Sequence, residues 1–142
     1  MSYRSLLIAA TIAAAAQFGR GPVVAADRPE IKIESPKNGE SVQTMAAMGS
    51  VVTVKFDTDD FEIKRLHDQS KKDETEHDEG HIRASVDDGA WGWVHDTADP
   101  IVIAGLGPGA HSVTLELVMS NHVPYSPPVR QTVNFTVAGN TQ

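Results

Sequence analysis

The sequence predicts an all-β fold, an immunoglobulin- or fibronectin-III-like two-sheet sandwich of about seven strands, and three observations carry that expectation. Apolar and polar residues alternate in short runs, which is the strand period. Turn residues separate the runs: Pro36-Lys37-Asn38-Gly39, Asp87-Asp88-Gly89 and Gly105 to Gly109. Past the N-terminal stretch no segment keeps a long helical period, although Val42 to Met48 could form one helical turn.

The elements follow in chain order. Leu6 to Ala16 is an uncharged apolar run preceded by Arg4, and Val24-Ala25-Ala26 supplies small residues before Asp27. That order is the pattern of a secretory signal. The run is too short for a spanning helix, which needs ~20 apolar residues. Residues 1–26 are therefore expected to be a signal peptide and residues 27–142 a single sandwich domain in the periplasm or outside the cell. A domain of that size buries enough surface for a core without staples, and the chain has no cysteine to supply one.

Within the domain, Ile31 and Ile33 open the first strand, and Val52, Val54 and Phe56 the second. His67 to Glu79 (HDQSKKDETEHDE) has no large apolar residue and is expected to be a mobile charged loop. Ile82, Ala84 and Val86 mark the third strand, Trp91 to Val94 the fourth, and Ile101 to Ala104 the fifth. Val113, Leu115 and Leu117 mark the sixth, and Val133, Phe135 and Val137 the seventh.

Charge and motifs exclude several functions. The formal net charge is −7, and loss of Arg4 and Arg20 with a signal peptide would make it more negative. An acidic chain without a basic stripe is a poor partner for phosphate backbones, so no nucleic-acid binding is expected. No later segment is long and apolar enough to cross a membrane. There is no nucleophile elbow, phosphate loop, cysteine nucleophile or zincin motif, so no enzymatic activity is expected.

The histidines carry the main functional expectation. If each run is one strand and consecutive runs reverse, His67, His77, His81, His95 and His122 share one end and His111 lies at the other. Neutral imidazoles beside carboxylates suit zinc or copper(II). His81 and His122 are the leading metal ligands. His77 precedes His81 by four residues and could fold back on it, and His95 comes next. The competing reading is that histidines are common in polar loops and loops gather at sandwich ends. His111 shares the inward face with Val113 and Leu115, and is expected to bond upstream backbone at a corner rather than bind metal. Met45 and Met48 are read as packing residues. Arg83 and Glu116 are expected as an outward ion pair on neighbouring strands. Trp91 and Trp93 fall on one face, and form the alternative site, for a flat ligand or a protein partner.

Gly80-His81-Ile82, Val86-Asp87-Asp88, Trp91, Trp93, Gly105-Leu106-Gly107-Pro108-Gly109-Ala110-His111, Glu116-Leu117 and Asn121-His122, taken in that order, resemble a small uncharacterised family of exported bacterial proteins, a domain of unknown function. The resemblance implies export and no assigned activity. Arg83 stands where that pattern has a second histidine, and Gly92 where it has one between the tryptophans. In architecture alone the chain is also similar to immunoglobulin-like periplasmic copper-handling proteins, a likeness of fold and not of site.

Overall fold

A computed structural model describes residues 28–45, 49–67, 78–89 and 92–139. Its strands are β1 Glu30–Ser35, β2 Glu40–Val42, β3 Thr44–Met45, β4 Gly49–Asp59, β5 Glu62–Ile63, β6 Glu79–Val86, β7 Gly92–His95, β8 Ile101–Ala104, β9 Gly109–Met119 and β10 Arg130–Val137. All seven runs read from the alternation are strands. The described residues contain no α-helix, and no helix among them is long and apolar enough to cross a membrane.

Two sheets result. In one, β1, β3 and β8 all pair with β4; the other runs β2-β10-β9-β6-β5, with β7 also on β6. The long pairings, β1–β4, β4–β8, β6–β7, β6–β9 and β9–β10, are antiparallel. Side chains alternate across each strand, so one row per strand faces inward. Ile31, Ile33, Val52, Val54, Ile101 and Ile103 from one sheet meet Ile82, Ala84, Val113, Leu115, Leu117, Val133, Phe135 and Val137 from the other. This is a β-sandwich.

Three short strands were not expected. β2 leaves the path of β1 and pairs parallel with β10, held by the Gly39 amide on the Asn134 carbonyl and the Ala138 amide on the Val42 carbonyl. Where 42–48 could have formed one helical turn, its start is extended chain: Val42 ends β2, and Thr44 and Met45 pair with Ser50 and Gly49. Edge pairing satisfies the backbone that a single isolated helical turn would leave half unbonded. β5 pairs parallel with the start of β6, through Glu62 opposite Glu79 and Ile63 opposite Gly80. The charged stretch 68–77, Trp91 and Met48 lie outside the described residues.

β5 positions the site. Gly80 pairs with Met119 of β9 on one side and Ile63 of β5 on the other, while Ile82 pairs with Leu117 and with His95 of β7. The free edge of β6 is therefore shared: β5 covers its start, β7 its remainder, and His81 sits at the junction. Gly80 is required there. A Cβ at residue 80 would overlap the Val118 carbonyl oxygen and the Met119 backbone.

Candidate functional site: two imidazoles at the start of β6

His81 and Arg83 lie on the outer face of the six-stranded sheet, because Ile82 and Ala84 take the inner one. An outward residue would normally be solvated, yet His81 is completely buried. Its Nδ1 lies 2.8 Å from the Lys64 carbonyl oxygen, just past β5. A carbonyl only accepts, so Nδ1 carries the hydrogen, and in the neutral ring Nε2 carries the lone pair. Lys64 is held in turn: its amide donates to the Gly80 carbonyl at 2.8 Å, and its ammonium pairs with Glu62 at 2.5 Å and Glu79 at 3.5 Å.

His122 reaches the same place from a different part of the chain. β9 ends in a tight hairpin: the His122 amide donates to the Met119 carbonyl at 2.8 Å and the Met119 amide to the Val123 carbonyl at 2.9 Å. Asn121 Oδ1 accepts from the Val123 amide at 3.0 Å. Ser120, Asn121 and His122 form a three-residue loop whose last position is left-handed, the place usually given to glycine. His122 occupies it with φ of 66°. A left-handed non-glycine residue costs about 1 kcal/mol or more. In that conformation its ring lies over that of His81, centroids 5.0 Å apart and planes at 33°.

Burial is the main influence on His81 and pushes its pKa below the ordinary histidine value; proximity of His122 acts the same way, against the Lys64 hydrogen bond and the Asp96 charge. The ring is therefore neutral at neutral pH. Asp96 is held below the usual carboxylate range, first by the Leu66 amide, which donates to Oδ2 at 3.0 Å. That bond ties the chain after β5 to the end of β7. The result is a buried neutral imidazole with its proton directed at a carbonyl, a second imidazole against it, and a carboxylate nearby.

The other histidines separate from this pair. His95 is at the same end, opposite Ile82 in register, so its side chain points to the inner face. It packs edge-on against Phe56 at 5.8 Å, with Nε2 2.8 Å from the Asp99 carbonyl. His67 is exposed. His77 is outside the described residues. Among the described residues no group of three or more His, Asp or Glu is arranged to hold a metal ion. Of the tryptophans, Trp93 stands opposite Ala84 on β7 and is exposed, as is Val94.

His111 is at the far end, as expected. Its Nδ1 lies 2.8 Å from Asp87 Oδ2 and its Nε2 2.7 Å from the Gly107 carbonyl. Both partners are acceptors, so both contacts are hydrogen bonds only when the ring is protonated, and a ring so held has no lone pair to offer. The Asp87 and Gly107 bonds raise its pKa above the ordinary value, against a smaller effect of burial. Asp87 also accepts the Ser112 amide at 2.8 Å. Burial works against its ionisation, but the bonds from His111 and Ser112 outweigh it and hold the carboxyl below the usual range. Asp87 and Asp88, with φ of 54° and 49°, turn the chain between β6 and β7, closed by the Gly89 amide on the Val86 carbonyl at 3.0 Å.

Two features of this site were missed in the sequence: the Lys64 carbonyl and the left-handed conformation of His122. Only the second had a local signal. Met119 and Val123 flank a three-residue loop, and such loops place their third residue left-handed.

No curated protein and no solved structure matches the chain. A family model does, over residues 4–142. On that match, which spans nearly the whole sequence, the chain belongs to DUF6130, a family of unknown function.

Proposed function

We propose that this protein is an exported, non-enzymatic metal-binding module that takes zinc or copper(II) at the His81–His122 pair. The observation that carries the reading is the state of His81: neutral, buried, with Nδ1 donating to the Lys64 carbonyl so that Nε2 holds the lone pair. Metal-bound histidines are oriented in this way, with the distal N–H on a carbonyl or carboxylate. Two imidazoles bound to one tetrahedral ion at ~2.0–2.1 Å place their ring centres about 5 Å apart. The centroid separation of 5.0 Å is close to that spacing. Asp96 adds a carboxylate close to His81. His77, four residues before His81 in sequence, is a further imidazole for the third position. Export is supported by the apolar run and small-residue end of the N-terminal 26 residues.

Titration of the protein with zinc and copper(II), read by calorimetry and thermal melting, tests the reading. At a hundredfold excess over Kd, a bound ion adds about 2.7 kcal/mol of stability, a melting shift on the order of 10 °C for a domain of this size. Stoichiometric uptake that His122→Gly and His81→Ala both abolish is the expected result. No shift with either ion in the unsubstituted protein overturns it.

A second reading rests on the exposure of Trp93 and Val94 on β7. An exposed tryptophan on an edge strand suits a module that holds a flat ligand or a partner protein. A protein inert to both ions favours this reading, and one that binds them through His81 and His122 leaves it without a role.

A further inference from the structure

We propose that Arg83 is a positioning residue that sets the orientation of His122 over His81; its consequence for metal uptake rests on the reading above. β6 presents His81 and Arg83 on one face, two residues apart, a spacing of about 7 Å. His81 meets the ring of His122. Arg83 meets its backbone: one guanidinium nitrogen donates to the His122 carbonyl at 3.2 Å, and the other pairs with Glu116 Oε2 at 3.3 Å. One strand thus grips one turn residue at two points.

The hairpin's own bonds explain why it needs this grip. Those between Met119, Asn121, His122 and Val123 lie inside the turn. They define its shape, and the pairing of Met119 with Gly80 joins its base to β6. The bond from Arg83 runs from the sheet to the turn. Glu116, directly opposite Arg83 on β9 and mostly buried, fixes the plane of the guanidinium. A planar fork can serve a carboxylate and a carbonyl at once, whereas an ammonium is a single point charge on a flexible stem. The position therefore requires arginine, and not only a positive charge.

The experiment uses Arg83→Ala and Arg83→Lys in the full chain, compared first without metal. The readings are the nuclear Overhauser contact between the His81 and His122 rings and the melting temperature. Loss of the ring contact in Arg83→Ala with cooperative unfolding retained, and a weakened contact in Arg83→Lys, is the expected result. An undiminished contact in Arg83→Ala overturns the proposal. Should Arg83→Ala not fold, Arg83→Lys decides by the same contact. With zinc or copper(II), Arg83→Ala should weaken binding about 10–100-fold, the range for residues that orient a ligand without touching the ion. If the unsubstituted protein takes up neither ion, the metal reading fails, and the metal-free ring contact still decides the role of Arg83.

Discussion

The two ends of the sandwich treat the same side chain in opposite ways. At the start of β6, His81 is buried, donates one N–H to a carbonyl and is neutral. At the far end, His111 lies between the Asp87 carboxylate and the Gly107 carbonyl, which favour its charged form. Burial disfavours the imidazolium, and an adjacent carboxylate favours it; the nearest partner decides which effect wins. A neutral imidazole can offer a lone pair to an ion or ligand. An imidazolium bonded on both nitrogens can only brace the turns it joins, here Asp87 at the β6–β7 turn and Gly107 before β9. Proximity to carboxylates is thus a poor guide to ligation. His111, bonded to a carboxylate, is less able to bind a metal than His81.

The largest expected effect tests how the neutral end is built. Gly80→Ala forces a methyl group against the Val118 carbonyl, and should destabilise by about 3 kcal/mol in urea denaturation, at the upper end for overpacking. A loss under about 1 kcal/mol would mean that β6 and β9 separate there easily and that His81 is not rigidly placed.

Next, Asp87→Asn makes the charged end resemble the neutral one. The amide oxygen can still accept from Ser112, but the charge that favours the His111 cation is gone. The loss should be about 1 kcal/mol or less at pH 6, because Asp87 is half exposed, with the His111 pKa falling toward its ordinary value in an NMR titration. An unmoved pKa would show that Asp87 is not its cause.

His122→Gly should act in the other direction. Glycine suits the left-handed position, so stability should hold or rise by up to about 1 kcal/mol, while the ring over His81 is lost. A marked drop in melting temperature would mean that the stacked ring stabilises the fold more than the turn geometry costs it.

The smallest effect is the pH dependence of the charged end. The folded pKa of His111 is raised, so its contribution is fully present below about 6.5 and is lost as pH rises through the higher folded value. Asp87 is half exposed, which screens the pair to about 1 kcal/mol or less. Stability measured from pH 6 to 9 should fall by that amount in the unsubstituted protein. In His111→Gln this component of the fall should be missing; an identical profile would assign the dependence to another group.

Much of the molecule was legible in the sequence because strands repeat every two residues, and burial follows that repeat locally. Ile31, Val52, Ile82, Leu115 and Phe135 announce their strands and their faces without reference to distant residues. Reversal of successive long strands was enough to bring His81 and His122 to one end and to send His111 to the other. The corner bond of His111 to upstream backbone was also foreseen. The short strands were not legible. β2 and β5 exist because β10 and β6 have edges to pair, and a three-residue segment carries too little pattern to declare an edge it will meet elsewhere.

The sequence by itself determined a two-sheet sandwich with inward apolar rows, and that chain reversal would gather His81 and His122 at one rim. The tertiary structure alone decided which histidines touch and which way the pKa values of His81 and His111 move. The reason is range. Side-chain alternation acts between neighbours in the chain, so it can be read residue by residue. A pKa answers to whatever lies within a few ångströms: a carbonyl seventeen residues away for His81, and a carboxylate twenty-four residues away for His111.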